Sequence, residues 1–369
     1  MEYALRHAPR LPHAPAAFPV RTVLLAGHVG AGNLGAELRT ERLLTVLQAA
    51  GVACRVTSYT PERTRDAFAG ARQEALPPEV AGTLWRLTMQ TDATIITEGA
   101  ALGEAGFGQF AGAMALALAQ GRPAIAAGVG ADRLPQGGLG WLQAHCRDAD
   151  VFCRDSASAE RLAAAGLRTH DGADPVWAMD PPARQQGSAL MICASHPASW
   201  PDAARPAFGR WLTALVAALD GQGDRARFVV MDDHDTAVAQ ELARATGGQV
   251  IRPHGQAEAL SAFAAARAVI SARFHGVVLG MLCGAPTLGL AIDTRLTALF
   301  GGQPFKGHPG AGGPVSPDDG ELGTRLAQAI DGTAPTPGAT GLRQTQRAAA
   351  LAMETAILDR LGLGTRGAA

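Results

Sequence analysis

The sequence is poor in aromatic residues, cysteine and net charge, and it has no long apolar run. Aromatic residues fill 5% of the 369 positions, and the net charge at pH 7 is -1. These values argue against a base-stacking surface and against a field that recruits nucleic acid or anionic membrane. The five cysteines are scattered and form no C-x-x-C pair. That spacing argues against a disulfide framework or a zinc site and indicates a reducing compartment.

The lengths of the apolar runs also indicate whether the chain crosses or is exported through a membrane. The longest, near residues 111–119, is too short to cross a bilayer. Residues 1–20 contain Arg6, Arg10 and several prolines without a continuous apolar core, which predicts a flexible leader rather than a signal peptide. We therefore expect a cytoplasmic protein without a transmembrane segment.

What the sequence does contain is an alternation of strand-like and helix-like segments, which runs through the chain twice. This pattern predicts an α/β protein with two Rossmann-like domains that face each other across a cleft. The predicted organisation is a leader (1–20), a first domain (21–180), a linker (181–187), a second domain (188–332), a second linker (333–341), and a C-terminal helix and tail (342–369). Ligands in such folds bind at the carboxyl ends of the strands.

The most informative segment is Ser271-Ala272-Arg273-Phe274-His275-Gly276, between an apolar strand and a predicted helix. A helix N-terminus favours anions, and Arg273 can bind an oxyanion through two hydrogen bonds. Histidine is a side chain that can change its protonation near neutral pH, which makes His275 a titratable partner for the arginine. The segment therefore predicts chemistry on a small anion. Without Arg273 beside it, His275 would be better interpreted as a core histidine bonded to backbone.

A glycine-rich turn, residues 27–35, follows the first predicted strand and contains G-x-G-x-x-G. A dinucleotide site would also need an acidic residue at the end of the second strand. That strand ends at Ser58, and the first acid after it is Glu62, so NAD binding is disfavoured. The turn either lets the helix approach the sheet or lines the cleft, where Asn33 and Glu37 would face the ligand.

Three other groups of residues have alternative interpretations. Arg154 either contacts a ligand or pairs with Asp155 or Asp174. The acidic run Asp232, Asp233 and Asp235, with His234 between them, predicts a solvated turn in preference to a divalent-metal site. Ser156 and Ser158 are expected to cap the following helix. We expect no metal.

Taken together, four segments resemble the polysaccharide pyruvyl transferase family. They are Gly30-Ala31-Gly32-Asn33-Leu34-Gly35-Ala36-Glu37, similar to its G-x-x-N-x-G-D-E turn; Arg154-Asp155-Ser156 with Ser158, Leu162 and Gly166; Ala173-Asp174-Pro175; and residues 271–276 followed by Gly284-Ala285-Pro286 and Asp293-Thr294-Arg295. The last segment is the most specific. The similarity covers about residues 23–300.

The resemblance implies a fold like the two-domain GT-B glycosyltransferases. It also implies transfer of a pyruvyl group from phosphoenolpyruvate to two hydroxyls of a glycan acceptor, as a cyclic ketal and without a cofactor or metal. The second domain would carry the donor site. The product would belong to a cell-surface polysaccharide or its lipid-linked precursor, so peripheral association with the inner face of the membrane is a further expectation.

By the same resemblance, Arg154 and Arg273 would bind the donor's phosphate and carboxylate, and Arg295 aligns with a lysine of the family. Phe274, Asn33 and Gly32 complete the expected substrate-binding set. The chemistry also needs an acid and a base. His275 is the candidate acid, and Glu37 and Glu98 are the candidate bases.

The sequence departs from the family pattern at two places. Ala36 stands where the family has aspartate, and Glu98-Gly99-Ala100-Ala101 replaces a glycine triplet. These changes leave open an altered acceptor or a family member without activity. A GT-B glycosyltransferase that uses a sugar nucleotide is the alternative enzyme.

Overall fold

The computed structural model describes residues 20–75, 80–104, 106–185, 187–200, 202, 204–292, 294–300, 320, 322–331 and 339–364. The predicted leader, residues 1–20, lies outside the described residues except for Val20. Most of the predicted linker 333–341 and Asp293 lie outside them as well.

The chain divides into two compact units, with the main boundary after Met179. The first unit comprises Met1–Ala31, Ala36–Met179 and Gln346–Ala369, and the second comprises Gly32–Gly35 and Asp180–Thr345. Two segments group differently from the predicted domains. The short piece of the glycine turn belongs to the second unit, and the C-terminal segment belongs to the first. Both groupings reflect contacts between residues far apart in sequence, which composition does not reveal.

The first unit contains a seven-stranded parallel sheet with the order β3-β2-β1-β4-β5-β6-β7. Its strands are β1 (Thr22–Ala26), β2 (Ala53–Ser58), β3 (Arg72–Ala75), β4 (Ala93–Ile96), β5 (Ala124–Val129), β6 (Asp150–Cys153) and β7 (Arg168–Asp171). Its helices are α1 (Leu34–Ala49), α2 (Pro61–Thr64), α3 (Val80–Met89), α4 (Phe107–Ala119), α5 (Gly138–His145) and α6 (Ser156–Ala164).

The central strands of this sheet are buried on both faces. Every residue of β4 and β5 is buried. In β1, Leu24 packs into the core cluster on one face, and Val23 and Leu25 pack into the cluster on the other. Such continuous apolar runs are typical of parallel sheets covered by helices on both sides.

The second unit contains a five-stranded parallel sheet with the order β10-β9-β8-β11-β12. Its strands are β8 (Ala189–Cys193), β9 (Ala226–Val229), β10 (Gln249–Ile251), β11 (Ala266–Ser271) and β12 (Thr287–Gly289). Its helices are α7 (Ala207–Ala218), α8 (Thr236–Thr246), α9 (Gly255–Ala264), α10 (Phe274–Leu282), α11 (Thr294–Leu299) and α12 (Leu322–Ile330). Two parallel sheets therefore confirm the predicted α/β class.

The last helix, α13 (Ala339–Arg360), begins three residues before the predicted start at Leu342. Met353, Ile357 and Leu361 are buried in the core cluster that covers one face of the first sheet. Glu354 accepts two hydrogen bonds from Arg42, from Nε and Nη2, each 2.7 Å long. The C-terminal helix therefore packs on the first unit.

All five cysteines are buried and unpaired. Burial raises the pKa of Cys146 and Cys193 to about 12, so these thiols stay protonated at neutral pH. Within the described ranges, none of the helices has both the length and the apolar character needed to cross a membrane.

Candidate functional site

In the first unit, two titratable side chains follow adjacent parallel strands. Ala26 of β1 pairs with Ile96 of β4, and His28 and Glu98 each lie two residues beyond these partners. His28 Nδ1 is 3.4 Å from Glu98 Oε2, and Glu98 Oε1 accepts a 3.0 Å hydrogen bond from the Ala100 amide. The strand register therefore brings an imidazole and a carboxylate together at the carboxyl edge of the sheet, where ligands bind in such folds.

The pKa of Glu98 bears on its predicted role as a base. Burial opposes its ionisation, but the hydrogen bond and charge of His28, the Ala100 amide and the charge of Arg39 together lower the pKa to about 2. A carboxylate with so low a pKa is a poor proton acceptor at neutral pH, because efficient bases have a pKa near the working pH. The other candidate base, Glu37, accepts a 3.2 Å hydrogen bond from the Gly30 amide.

Arg154 follows β6 at the same edge of the first sheet, and its side chain is 8% exposed. Its Nη2 is 3.5 Å from Asp132 Oδ1 and its Nε is 3.8 Å from Asp155 Oδ2. A Cβ on Gly99 would lie 3.1 Å from Arg154 Nη1, and one on Gly130 would lie 2.5 Å from its Nη2. The two glycines thus let the backbone approach the guanidinium closely.

The structure also decides two interpretations of this segment. The cap of α6 is Asp155, whose Oδ1 accepts from the Ser158 amide at 2.8 Å. Ser158 instead accepts a 2.8 Å hydrogen bond from the Ala131 amide, so the prediction that Ser156 and Ser158 cap this helix was wrong. Arg154 approaches Asp155, and Asp174 pairs with Arg39.

Arg39 is a site residue that the sequence analysis missed. Its side chain is 1% exposed, pairs with Asp174, and donates from Nε to the Thr97 carbonyl at 2.7 Å. A Cβ on Gly99 would also lie 3.1 Å from Arg39 Nη1. The sequence signal that could have found Arg39 is its spacing in α1. It lies three residues after Ala36 and four before Leu43, and this spacing places it on the buried face of the helix.

In the second unit, Arg273 is the residue that precedes the first turn of α10. Its Nε donates to Asp235 Oδ2 at 2.8 Å, its Nη2 bonds Asp235 Oδ1, and Nη2 is also 3.3 Å from Ser199 Oγ. Among the described residues, Nη1 of Arg273 has no hydrogen-bond partner. One edge of the guanidinium is therefore held in place by Asp235, and Nη1 is the group that remains to meet a ligand.

The prediction of a solvated turn at residues 232–235 was wrong for Asp235, although His234 is exposed. Asp235 is fully buried, accepts from the His196 amide at 2.9 Å, and bonds Arg273 through both oxygens. Burial raises the pKa of Asp235, while the hydrogen bond and charge of Arg273 oppose that rise. Asp233 pairs with Arg252. The acidic run is thus a turn whose carboxylates orient arginines, a role that needs partners distant in sequence.

His275 lies against the backbone of Gly35. A Cβ on Gly35 would overlap the imidazole at Nδ1, so only glycine fits there without moving the ring. Phe274 is buried, 6% exposed, and packs edge-on against His275 with ring centroids 5.2 Å apart. The imidazole itself is half-buried.

The rest of the short glycine segment is held by the acidic turn. Asn33 donates from Nδ2 to Asp232 Oδ2 at 2.9 Å, and the two residues also form an isolated antiparallel bridge. Gly32 has a φ of +80°, and a Cβ there would overlap the Asp233 side chain. Arg295 lies half-buried in α11.

Each unit therefore gathers part of the predicted set. In the first unit, Arg154 approaches Gly99, the residue that follows Glu98. In the second unit, His275 lies against Gly35, two residues after Asn33. That Arg154 and Arg273 bind the same molecule stays a prediction. Across the described ranges, no three His, Cys, Asp or Glu side chains converge to hold a metal ion.

Two parallel sheets, with charged side chains at the carboxyl edges of their strands, define a GT-B-like α/β protein. The chain belongs to the polysaccharide pyruvyl transferase family, whose family model matches residues 33–294. That family is one of transferases. No curated protein sequence matches the chain significantly.

Solved structures with a similar fold have low sequence identity. A UDP-GlcNAc 2-epimerase from Neisseria meningitidis, bound to UDP-GlcNAc, has a TM-score of 0.60 and 12% identity, over 92% of this chain and 100% of its own. A glycosyltransferase from Rickettsia africae has a TM-score of 0.56 and 14% identity, over 93% and 98%. At this identity the similarity establishes the fold alone.

Proposed function

We propose that the protein transfers a pyruvyl group from phosphoenolpyruvate to two hydroxyls of one sugar, giving a cyclic ketal and inorganic phosphate. The observation that carries the proposal is the arrangement around α10. Asp235 fixes the guanidinium of Arg273 at the start of the helix, and His275 follows one residue into it. This arrangement offers an oriented cation, helix amides and a titratable group to one small anion.

The donor carries a phosphate and a carboxylate on a three-carbon skeleton, so it needs several cations. Arg273 would offer Nη1 to one oxyanion. Arg154, backed by the close approach of Gly99 and Gly130, would bind the other, and Arg295 would add positive charge. The turn and the imidazole would be held in place for this site by Asn33, Gly32 and Phe274.

The reaction needs a proton at the donor's methylene carbon. In our proposal His275 gives that proton, C2 becomes electrophilic, and a sugar hydroxyl adds to C2 as it loses its own proton to a base. The bond between C2 and the phosphate oxygen then breaks, and phosphate leaves with the electron pair. A second hydroxyl of the same sugar bonds to C2 and loses its proton, which closes the ketal. One carbon gains a proton, two hydroxyls lose one each, and phosphate carries the remaining proton away.

The acceptor class follows from the family and from the need for two neighbouring hydroxyls. We propose a sugar of a cell-surface polysaccharide or of its lipid-linked precursor, with hexopyranoside O4 and O6 as a suitable pair. The experiment incubates the wild-type protein with phosphoenolpyruvate and p-nitrophenyl N-acetylhexosaminides of gluco, galacto and manno configuration. We expect phosphate release that depends on an acceptor.

Replacement of His275 tests the proposed acid. We expect His275→Gln to lower kcat by about 10²- to 10⁴-fold, the range for loss of an acid–base group, with little change in the Kd of phosphoenolpyruvate measured by calorimetry. The control is His254→Gln, an exposed histidine of the same unit. Equal effects of the two replacements would contradict the role. Tight binding of a UDP-sugar without donor-dependent phosphate release would favour a glycosyltransferase instead.

A further inference from the structure

The structure contains an imidazole–carboxylate pair that the proposed mechanism has not used. His28 is 30% exposed and Glu98 is 12% exposed, and they lie at the carboxyl ends of adjacent strands. Glu98 faces Nδ1 of His28, and among the described residues Nε2 of His28 has no hydrogen-bond partner. An imidazole held through Nδ1 by a carboxylate presents Nε2 as a proton acceptor, the arrangement found in nucleophile-activating dyads.

Neighbouring side chains restrict the orientation of the His28 ring. Phe110 of α4 packs edge-on against it with centroids 4.9 Å apart, and the Tyr59 ring lies at 6.0 Å. Tyr59 is itself hydrogen-bonded to Gln109, with its hydroxyl 3.1 Å from Nε2 of that amide. The ring is thus fixed by packing on one side and by Glu98 on the other, which preorganises it for proton transfer.

The pair also lies beside a predicted donor-binding residue. Gly99 follows Glu98 directly, and a Cβ on Gly99 would lie 3.1 Å from Nη1 of both Arg154 and Arg39. The titratable groups that face His28 are Glu98 after β4 and Tyr59 after β2, while Arg39 from α1 and Arg154 after β6 approach Gly99. Glu98 contacts the imidazole through its carboxylate.

We propose that His28, oriented by Glu98, is the base that removes the proton from the acceptor hydroxyl. This inference rests on the proposed function. In the step, the hydroxyl oxygen forms its bond to C2 of the donor while His28 Nε2 takes the hydroxyl proton, and Glu98 stabilises the resulting imidazolium. Glu98 is then a positioning residue, and His28 is the catalytic one.

The alternatives to His28 are each less suitable. Ala36, where the family pattern has aspartate, is buried and has no titratable group. Glu37 is engaged with the Gly30 amide. Glu98 holds its charge too firmly to accept a proton near neutral pH, since its pKa is about 2. The same low pKa keeps it ionised as a partner for His28.

The first test replaces His28 by glutamine in the full chain. We expect acceptor-dependent phosphate release to fall by about 10²- to 10⁴-fold, with an unchanged Kd for phosphoenolpyruvate. The wild-type rate should rise with pH as the base loses its proton. This rising part of the pH–rate profile should be absent in His28→Gln. In His28→Ala, added imidazole should restore part of the rate, which a merely structural histidine would not allow.

The matched control is His170→Gln, because His170 also pairs with a carboxylate, Asp150, at 2.7 Å in the same unit. We expect that variant to retain wild-type turnover. If His28→Gln also retains it, His28 is not the base although the proposed function stands. If the wild-type protein releases no phosphate with any acceptor, the proposed function fails, and the role of His28 in it fails too.

A second measurement tests the pair without any substrate. Glu98→Leu removes the carboxylate that faces Nδ1 of His28. We therefore expect ¹⁵N NMR of the labelled neutral imidazole to show the proton on Nδ1 in the wild type, and a larger share of the Nε2–H tautomer in Glu98→Leu. An unchanged tautomer distribution would overturn the assignment of Glu98.

Discussion

At the scale of single residues, Gly35 shows how closely the backbone approaches a proposed catalytic group. The space that a Cβ would occupy is filled by the imidazole of His275. We predict that Gly35→Ala displaces this ring and lowers acceptor-dependent turnover by about 10²-fold, because a small misplacement of a catalytic group can cost that much. Gly209→Ala is the control, since Gly209 lies in α7 with open space around it.

The two glycine variants should also differ in stability. Alanine is favoured over glycine in an exposed helix by up to about 1 kcal/mol, so Gly209→Ala should be neutral or stabilising in urea unfolding. Gly35→Ala should destabilise, because the ring or the backbone must move. Full activity in Gly35→Ala would show that the position of His275 does not matter for the reaction.

Residue types at the site were predictable from sequence, but their partners were not. Arg273 and His275 stood out because a cation and a titratable ring follow a buried strand. Asp235, which holds Arg273, lies 38 residues earlier in a run that resembled a solvated turn. His28 lies 70 positions from Glu98, and only the pairing of β1 with β4 brings them together. Sequence spacing carries no information about such contacts.

At the scale of secondary-structure elements, the C-terminal helix α13 contributes directly to the core of the first unit. Ile357 is 1% exposed within that core, whereas Leu351 of the same helix is 40% exposed. We predict that Ile357→Ala lowers the free energy of unfolding by about 2–5 kcal/mol, the usual range for an emptied core site. Leu351→Ala should change it by less than about 0.5 kcal/mol.

Urea unfolding of the full chain, followed by circular dichroism, measures both changes. The two variants share the same helix, the same replacement residue and a similar change in volume, so burial is the variable that differs. Equal destabilisation would mean that α13 does not pack on the first sheet as described.

The alternation in the sequence did not reveal the two edge strands of the first sheet, and both were missed for the same physical reason. β3 and β7 are the edge strands of the first sheet, and each has at least two charged residues with few fully buried positions. An apolar run or a clear alternation does not arise where a strand has one neighbour and solvent on the other side. Helix α5 was missed because Gly138 and Gly140 lie in its first turn, where glycine weakens a helical pattern.

At the scale of the whole molecule, the alternation of strands and helices was sufficient to predict two α/β units. It could not predict that Gly32–Gly35 groups with the second unit or that residues from Gln346 onward group with the first. Both assignments depend on tertiary contacts, such as the hydrogen bond from Asn33 to Asp232 and the pair of Arg42 with Glu354. Periodicity describes local structure, and these contacts are not local.

The proposed function requires that the pyruvyl carbon skeleton moves intact from donor to sugar. The most direct measurement uses phosphoenolpyruvate labelled with ¹³C at C2, the wild-type protein and the p-nitrophenyl N-acetylhexosaminides, followed by ¹³C NMR. We predict that the enol signal is replaced by a quaternary ketal carbon on the sugar, with one phosphate released per ketal. A label that stays in the donor, or appears only as free pyruvate, with every acceptor would contradict it.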